Sequence, residues 1–241
     1  AMLVHVISNL DLKFHEFTPE EDTSIPVGVE LVIFCGGFSN KMKRSLLYCE
    51  TLIEKYPDIK FIMNMAPIEH HTDVPDIMYS AMRVRYENSP LTNLYYSKKP
   101  FVVDNYDILT LVGWPKVNEI PQRLERVFGT PRPRYLKDGE CCNTKFRYFV
   151  TLEEFNAFYE QERIILEEWL VKDNGKQKIL ITGTAPINDP YAGEYQLYED
   201  LDLSKIVWIH GGTETYDKTE NGTRLISNPG RGLSRTNTFV I

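Results

Sequence analysis

The residues with chemical potential in this chain stand in short polar or glycine-rich blocks, each following an apolar run. Ser8-Asn9-Leu10-Asp11 follows the first run and Gly36-Gly37-Phe38-Ser39-Asn40 the second, and Met65-Ala66-Pro67-Ile68-Glu69-His70-His71 follows the third. Thr182-Gly183-Thr184-Ala185-Pro186 and His210-Gly211-Gly212-Thr213-Glu214 follow later runs. Blocks of this kind at strand ends would line one rim of a sheet, where open α/β sheets place their sites. Bare glycine backbone there lets a ligand approach closely. The last block nevertheless offers no histidine among Gly211, Gly212, Thr213 and Glu214, although imidazole is the donor such a rim would need for a metal.

The elements that must carry these blocks alternate. Leu3 to Ser8 predicts a strand and "ELVIFCGG" a second. A helix follows, with Met42, Leu46, Cys49, Ile53 and Tyr56 at helical spacing, Ser39 or Asn40 as its expected cap and Pro57 as its stop. "KFIMNM" is the next strand. Strand, helix, strand in this order predicts a mostly parallel sheet with crossover helices. "FVVDNYDILTLVGWP" reads as two strands turning near Asp104-Asn105, and 129–147 as an irregular inserted loop. Thr151 with Glu154 forms a capping-box pattern that opens a helix bearing Phe155, Phe158, Tyr159, Ile165, Leu166 and Trp169, with Asn174-Gly175 as its expected end. The tail is rich in strands, with a hairpin turn at Asn221-Gly222.

With 241 residues, 42% of them hydrophobic, the chain can bury one large core, so a single domain over 1–241 is expected. A net charge of -7 argues against a general nucleic-acid binder. No run reaches the ~20 apolar residues of a membrane span, and the N-terminus lacks a signal peptide's layout. Cys35, Cys49, Cys141 and Cys142 show no CxxC spacing, so Cys35 and Cys49 read as core and the chain as cytoplasmic.

The five blocks, in order, resemble the calcineurin-like metallophosphoesterases along nearly the whole chain. That family's blocks read roughly S-D-L-H, G-D-x-x-N, G-N-H-E, T-H-H-A-P and G-H-T-H, against "ISNLDL", "VIFCGGFSN", Ala66-Pro67-Ile68-Glu69, "LITGTAP" and "WIHGGTETYD" here. The resemblance implies an α/β fold, a metallophosphoesterase-like sandwich of two mixed β-sheets flanked by helices. It also implies which positions would hold two metal ions. These are Asn9 and Asp11 in the first block, Gly37 in the second, Pro67 and Ile68 in the third, Gly183 in the fourth, and Gly212 and Glu214 in the last. His210 precedes the motif, where the family does not ligate.

A two-metal phosphoesterase needs carboxylate and imidazole ligands holding ions about 3.5–4 Å apart. Glycine, proline and isoleucine supply none. Asp11 and Glu214 are the remaining carboxylates, so the expectation is a pseudoenzyme without a metal cofactor. Its function would then be to bind a protein partner or a second copy of itself, as scaffold, regulator or structural subunit. The expected contact is the basic run of the inserted segment, with Arg132, Arg134 and Tyr135, residue types enriched at binding hot spots. Two alternatives stay open. One is a non-hydrolytic binder of a nucleotide or other phosphorylated small molecule in the old pocket. The other is a rewired single-metal phosphoesterase using Asp11, Glu214 and either Glu69 or His70. Neighbouring His70 and His71 read as solvent-facing loop residues. Asp189, Asp202 and Asp217 read as solvated turns, and Lys41, Lys43 and Arg44 as a charged helix face. Trp114 and Trp208 read as core.

Overall fold

Alternation along the strands decides the layering. In Leu31–Gly36, Leu31, Ile33 and Cys35 belong to one buried cluster while Val32 and Phe34 belong to another. In Gln177–Thr182, Ile179 and Ile181 join the first of these clusters and Leu180 joins a third. Successive side chains of a strand point to opposite faces, so each strand is buried on both sides and needs cover on both.

A computed structural model of the chain describes residues 1–12, 24–70, 75–120, 131–135, 141–147, 151–188, 195–230 and 232–241, with the backbone alone at 77, 131–135, 141–147, 232 and 233. In chain order the first strands are β1 (Leu3–Ser8), β2 (Leu31–Gly36), β3 (Lys60–Met63), β4 (Leu94–Tyr95), β5 (Phe101–Val103) and β6 (Tyr106–Leu111). They are followed by β7 (Pro131–Tyr135), β8 (Cys141–Arg147), β9 (Gln177–Thr182), β10 (Val207–His210), β11 (Tyr216–Glu220), β12 (Thr223–Ser227) and β13 (Phe239–Val240). The helices are α1 (Met42–Lys55), α2 (Pro75–Glu87) and α3 (Leu152–Val171).

Two mixed sheets pack face to face, ordered β13-β1-β2-β3-β4 and β11-β12-β10-β9-β6-β5. Within them β1, β2, β3 and β4 run parallel, as do β12, β10, β9 and β6. Antiparallel β13, β11 and β5 close three of the four edges. Val4, Val6, Leu31, Ile33 and Ile62 meet Ile108, Ile179, Ile181, Ile209 and Ile226 between the sheets. β-Branched side chains dominate this layer because they fill a pleated surface well. On the outer face of the first sheet, Phe34, Phe61 and Met63 pack with Leu46, Cys49 and Leu52 of α1 and Met82 of α2. On the outer face of the second, Leu109, Leu180 and Trp208 pack with Phe155, Tyr159, Leu166 and Trp169 of α3. Each such fully buried side chain contributes roughly 1.5–3 kcal/mol relative to exposure.

Several local expectations hold. The capping box at α3 is complete, with Glu154 N–H donating to Thr151 Oγ1 at 3.1 Å. Asn221 and Gly222 both take positive φ (51° and 78°), as the tight β11–β12 hairpin requires. Trp114, Trp208, Cys35 and Cys49 are core, both thiols free.

Others are corrected. The cap of α1 is Lys41, with no side-chain cap bond, and Ser39 Oγ instead accepts from Lys41 N–H at 3.1 Å. Helix α3 ends at Val171, before Asn174-Gly175, where the Lys172 backbone turns extended, and Asn174 beyond it donates its amide to Asp107 at 3.1 Å. Helix α2 and strand β4 were not anticipated from the sequence. The segment 129–147 is not irregular throughout: β7 and β8 pair antiparallel as a two-stranded sheet joined to neither main sheet. Its alternation is obscured by Pro131, Pro133 and a register shift at Pro133/Arg134. Residues 129, 130 and 136–140 lie outside those described, as do His71 and Asp189.

Candidate functional site at the strand ends

The parallel strands of both sheets deliver their carboxyl ends to a common rim, and the anticipated blocks meet there. A register irregularity at Ile7/Ser8 ends β1. Asn9 and Asp11 then take left-handed φ values of 49° and 51°, a conformation that short polar side chains tolerate. The Asn9 amide crosses to the other sheet and donates from Nδ2 to the Gly212 carbonyl. Its Oδ1 lies over Gly37, where an added Cβ would sit 1.9 Å away. Gly37 also has φ +79°, so a side chain there is excluded twice over.

Backbone meets backbone around the rest of the rim. A Cβ on Gly183 would lie 2.5 Å from Ala66 Cα, and one on Gly211 would lie 2.2 Å from the Gly183 carbonyl oxygen. Asn64 ties the two sheets, donating from Nδ2 to the carbonyls of Cys35 at 3.3 Å and Leu111 at 2.9 Å. Gly212, at φ +149°, is the more open position, its nearest neighbour 3.5 Å from a built Cβ.

The third block is folded inward. Pro67–His70 forms a 3-10 turn in which all four residues are buried, which corrects the expectation that His70 faces solvent. Three backbone N–H groups donate to the Glu69 carboxylate: Phe38 at 2.7 Å, Ala66 at 2.9 Å and Gly37 at 3.2 Å. Burial pushes the Glu69 carboxyl up to about 7, against these bonds, which favour its charged form. The His70 ring sits edge-on to Trp114, its Nδ1 3.0 Å from the Ala66 carbonyl, and burial lowers its pKa to about 4. A neutral ring facing a carbonyl oxygen must carry its proton on Nδ1, which leaves Nε2 as an acceptor. His210 is likewise buried and held, with Nε2 2.7 Å from the Tyr216 hydroxyl and a pKa lowered to about 4 by burial.

The two remaining carboxylates of the motif differ from Glu69. Asp11 is half-buried and Glu214 is exposed in the turn leading to β11. Pro67 and Ile68 are buried and offer no donor side chain. Among the described residues no group of three or more His, Cys, Asp or Glu side chains is arranged to hold a metal ion. Lys41 and Lys43 are exposed, Arg44 Nη1 donates to the Leu12 carbonyl at 3.2 Å, and Asp217 pairs with Arg224 at 2.8 Å. The hydroxyls of Ser8 and Ser227, both at the rim, are buried without a hydrogen-bond partner.

No family model matches the sequence, and no curated protein does. Solved structures do. The phosphopantetheinyl hydrolase PptH from Mycobacterium tuberculosis superposes with a TM-score of 0.61 at 10% identity, over 97% of this chain and 90% of that one. A second solved structure matches with a TM-score of 0.55 at 12% identity, over 95% of this chain and 90% of the other. The fold is shared with a hydrolase. At such identity the likeness concerns the sandwich of two mixed sheets and its flanking helices, and leaves the side chains of the rim to be read from this chain alone.

Two carboxylates escaped notice as structural anchors. Glu69 is one. The other is Glu162 of α3, which accepts from the N–H groups of Val112 at 2.7 Å, Trp114 at 2.9 Å and Gly113 at 3.0 Å. The available signal was positional: Glu162 falls between Phe158, Tyr159, Ile165 and Leu166 on the apolar side of α3, where a carboxylate needs buried donors. No helix among the described residues is long and apolar enough to cross a membrane.

Proposed function

We propose that this chain is a degenerate member of the metallophosphoesterase family that acts by binding a protein partner. The observation carrying the proposal is that the rim is filled by the protein itself. Asn9 occupies the space over Gly37, Glu69 consumes the N–H groups of Gly37, Phe38 and Ala66, and Gly183 lies against Ala66 with no room for a side chain. A bridged dinuclear centre needs several carboxylate or imidazole donors converging on two ions. Glycine at 37, 183 and 212 provides none, so no metal-dependent step is assigned.

Function then resides on the surface. The β7–β8 hairpin is the candidate contact, since it joins neither sheet and carries Arg132, Arg134 and Tyr135 on one strand. The rival reading is a single-metal phosphoesterase carried by Asp11 and Glu214, and PptH, which shares the fold, is named a hydrolase. The deciding experiment compares wild type, an Arg132/Arg134/Tyr135 triple alanine variant and Asp11→Ala/Glu214→Ala. Pull-downs from the native source and assays on phosphomonoesters and phosphodiesters with Mn²⁺ supplied are run side by side. The expected result is loss of a bound protein in the triple variant alone, with turnover at the level of buffer throughout. Loss of the protein in the double variant alone would move the contact to the rim. Turnover that disappears in the double variant would replace the proposal with the hydrolytic reading.

A further inference from the structure

Beside the rim, and separate from the surface invoked above, a cavity of about 370 Å³ opens between α2, α3 and the carboxyl ends of β3 and β6. That volume lies within the range of small-molecule sites, about 300–1,000 Å³. Four of the six methionines of the chain line it: Met42, Met65, Met78 and Met82. Thioether side chains are flexible and polarizable and adapt to irregular or aromatic guests. Tyr79, Tyr96, Trp114 and Phe158 add aromatic faces and edges.

Several polar groups on the wall present acceptors. Thr110 spends its proton on the Ser97 carbonyl at 2.9 Å, which leaves its lone pairs. His70 is a neutral ring whose Nδ1 proton is committed to Ala66, and it is only 4% exposed. Of the two carboxylates on the wall, Glu162 is committed to the N–H groups of Val112, Gly113 and Trp114, and Asp76 faces the ammonium of Lys98. Lys98 shows what the wall attracts: its Nζ lies 3.4 Å from Asp76 Oδ1 and 5.3 Å from the centroid of the Tyr79 ring. Burial pushes the Glu162 carboxyl up to about 7, against its three backbone N–H bonds and, last, the charge of Lys98. Carboxylate and aromatic face together make a cation site. Lys98 holds it loosely, since both members of its pair are exposed and such pairs contribute little.

We propose that this cavity binds an organic cation: an ammonium group on an apolar, aromatic body. The body packs among the methionines and aromatic rings, and the ammonium displaces that of Lys98 from between Asp76 and the Tyr79 face. An anionic ligand would meet the Asp76 carboxylate, and a neutral one would leave it without a donor of matching charge.

The test uses the full chain and three probes that share an indole ring and a two-carbon arm: tryptamine, its neutral alcohol analogue tryptophol, and the anionic indole-3-propionate. Calorimetric titration and thermal melts should show saturable binding at one site for tryptamine. Tryptophol and indole-3-propionate should be at least about tenfold weaker, the factor of a missing charge-assisted contact. Lys98→Met removes the competing ammonium and should tighten tryptamine about two- to fivefold relative to tryptophol. Asp76→Asn should weaken it by a similar factor, and Met78→Trp should abolish binding by filling the cavity. Equal affinity for the three probes, no saturable binding, or a Lys98→Met variant with unchanged or weaker preference for the cation would overturn the proposal. Should Met78→Trp fail to fold, Lys98→Met and Asp76→Asn still decide, because both side chains are exposed.

Discussion

Replacing Gly183 with alanine tests whether the rim is closed in the way its geometry implies. The new Cβ would stand 2.5 Å from Ala66 Cα, 2.6 Å from Ala66 Cβ and 2.9 Å from the Val112 carbonyl oxygen. Favourable carbon–carbon separations lie near 3.5–4.0 Å, so about 1 Å must be found. No neighbour can supply it cheaply. Ala66 N–H is bound to Glu69 at 2.9 Å, and the Val112 carbonyl accepts from Gly183 N–H at 3.0 Å. Overpacking of this kind costs about 3 kcal/mol, and more when the obstacle is backbone. Gly175→Ala is the control. Its φ of +74° gives it the strain of a left-handed residue, yet nothing lies within 4 Å of its Cβ, so it should cost only about 1–2 kcal/mol. Equilibrium urea unfolding at pH 7 measures both. Ala66→Gly in the Gly183→Ala background should recover part of the loss, because the clash with the Ala66 methyl goes while the clash with the backbone at 66 stays. A Gly183→Ala variant no less stable than Gly175→Ala would refute the closed-rim reasoning. It would also restore room for the histidine that a metal centre needs at this position.

The buried Glu69 makes a prediction about pH. Its native pKa is raised to about 7, so between the unfolded value of 4.5 and about 7 the native state binds more protons than the unfolded one. Stability therefore falls as pH rises through that window, by up to about 3 kcal/mol from this group. Glu69→Gln should reduce the difference in unfolding free energy between pH 5 and pH 8, leaving the share of Glu162, which burial raises to the same value, and an unchanged difference would count against it. Asp107 accepts from Trp169 Nε1 at 2.9 Å, Asn174 Nδ2 at 3.1 Å and Lys178 Nζ at 3.5 Å. Asp107→Ala should lose about 3 kcal/mol by stranding these donors, measured by chemical denaturation, and a loss below about 1 kcal/mol would show that the cluster is dispensable. On the proposed function, elemental analysis should find no stoichiometric Mn, Fe or Zn and chelators should leave the melting temperature unchanged. Two equivalents of transition metal per chain would contradict it.

The sequence by itself determined the elements, because strands, helix starts and turns follow from patterns that local sequence must carry; the pairing of two sheets came only as an implication of the family resemblance. The unbroken apolar runs of "ELVIFCGG" and "QKILIT" mark strands buried on both faces. Thr151 with Glu154, and Asn221-Gly222, encode a helix start and a turn through hydrogen bonds and φ values confined to a few residues. The order of blocks also placed a rim at the strand ends, where they meet. Proline hid the β7–β8 pairing, since it breaks the local signal of a strand without preventing one. What happens within the rim was decided by tertiary structure. Asn9 and Gly37 stand in different blocks and meet only when β1 and β2 pair, and Glu69 finds the N–H groups of Gly37 and Phe38 only once β2 and β3 lie side by side. Glu69 beside His70 reads in sequence as part of a loop, with a metal role only in the single-metal alternative; in the fold it is a buried anchor. The difference lies in which donors surround it and how much water is left, and both depend on packing between residues far apart in the chain.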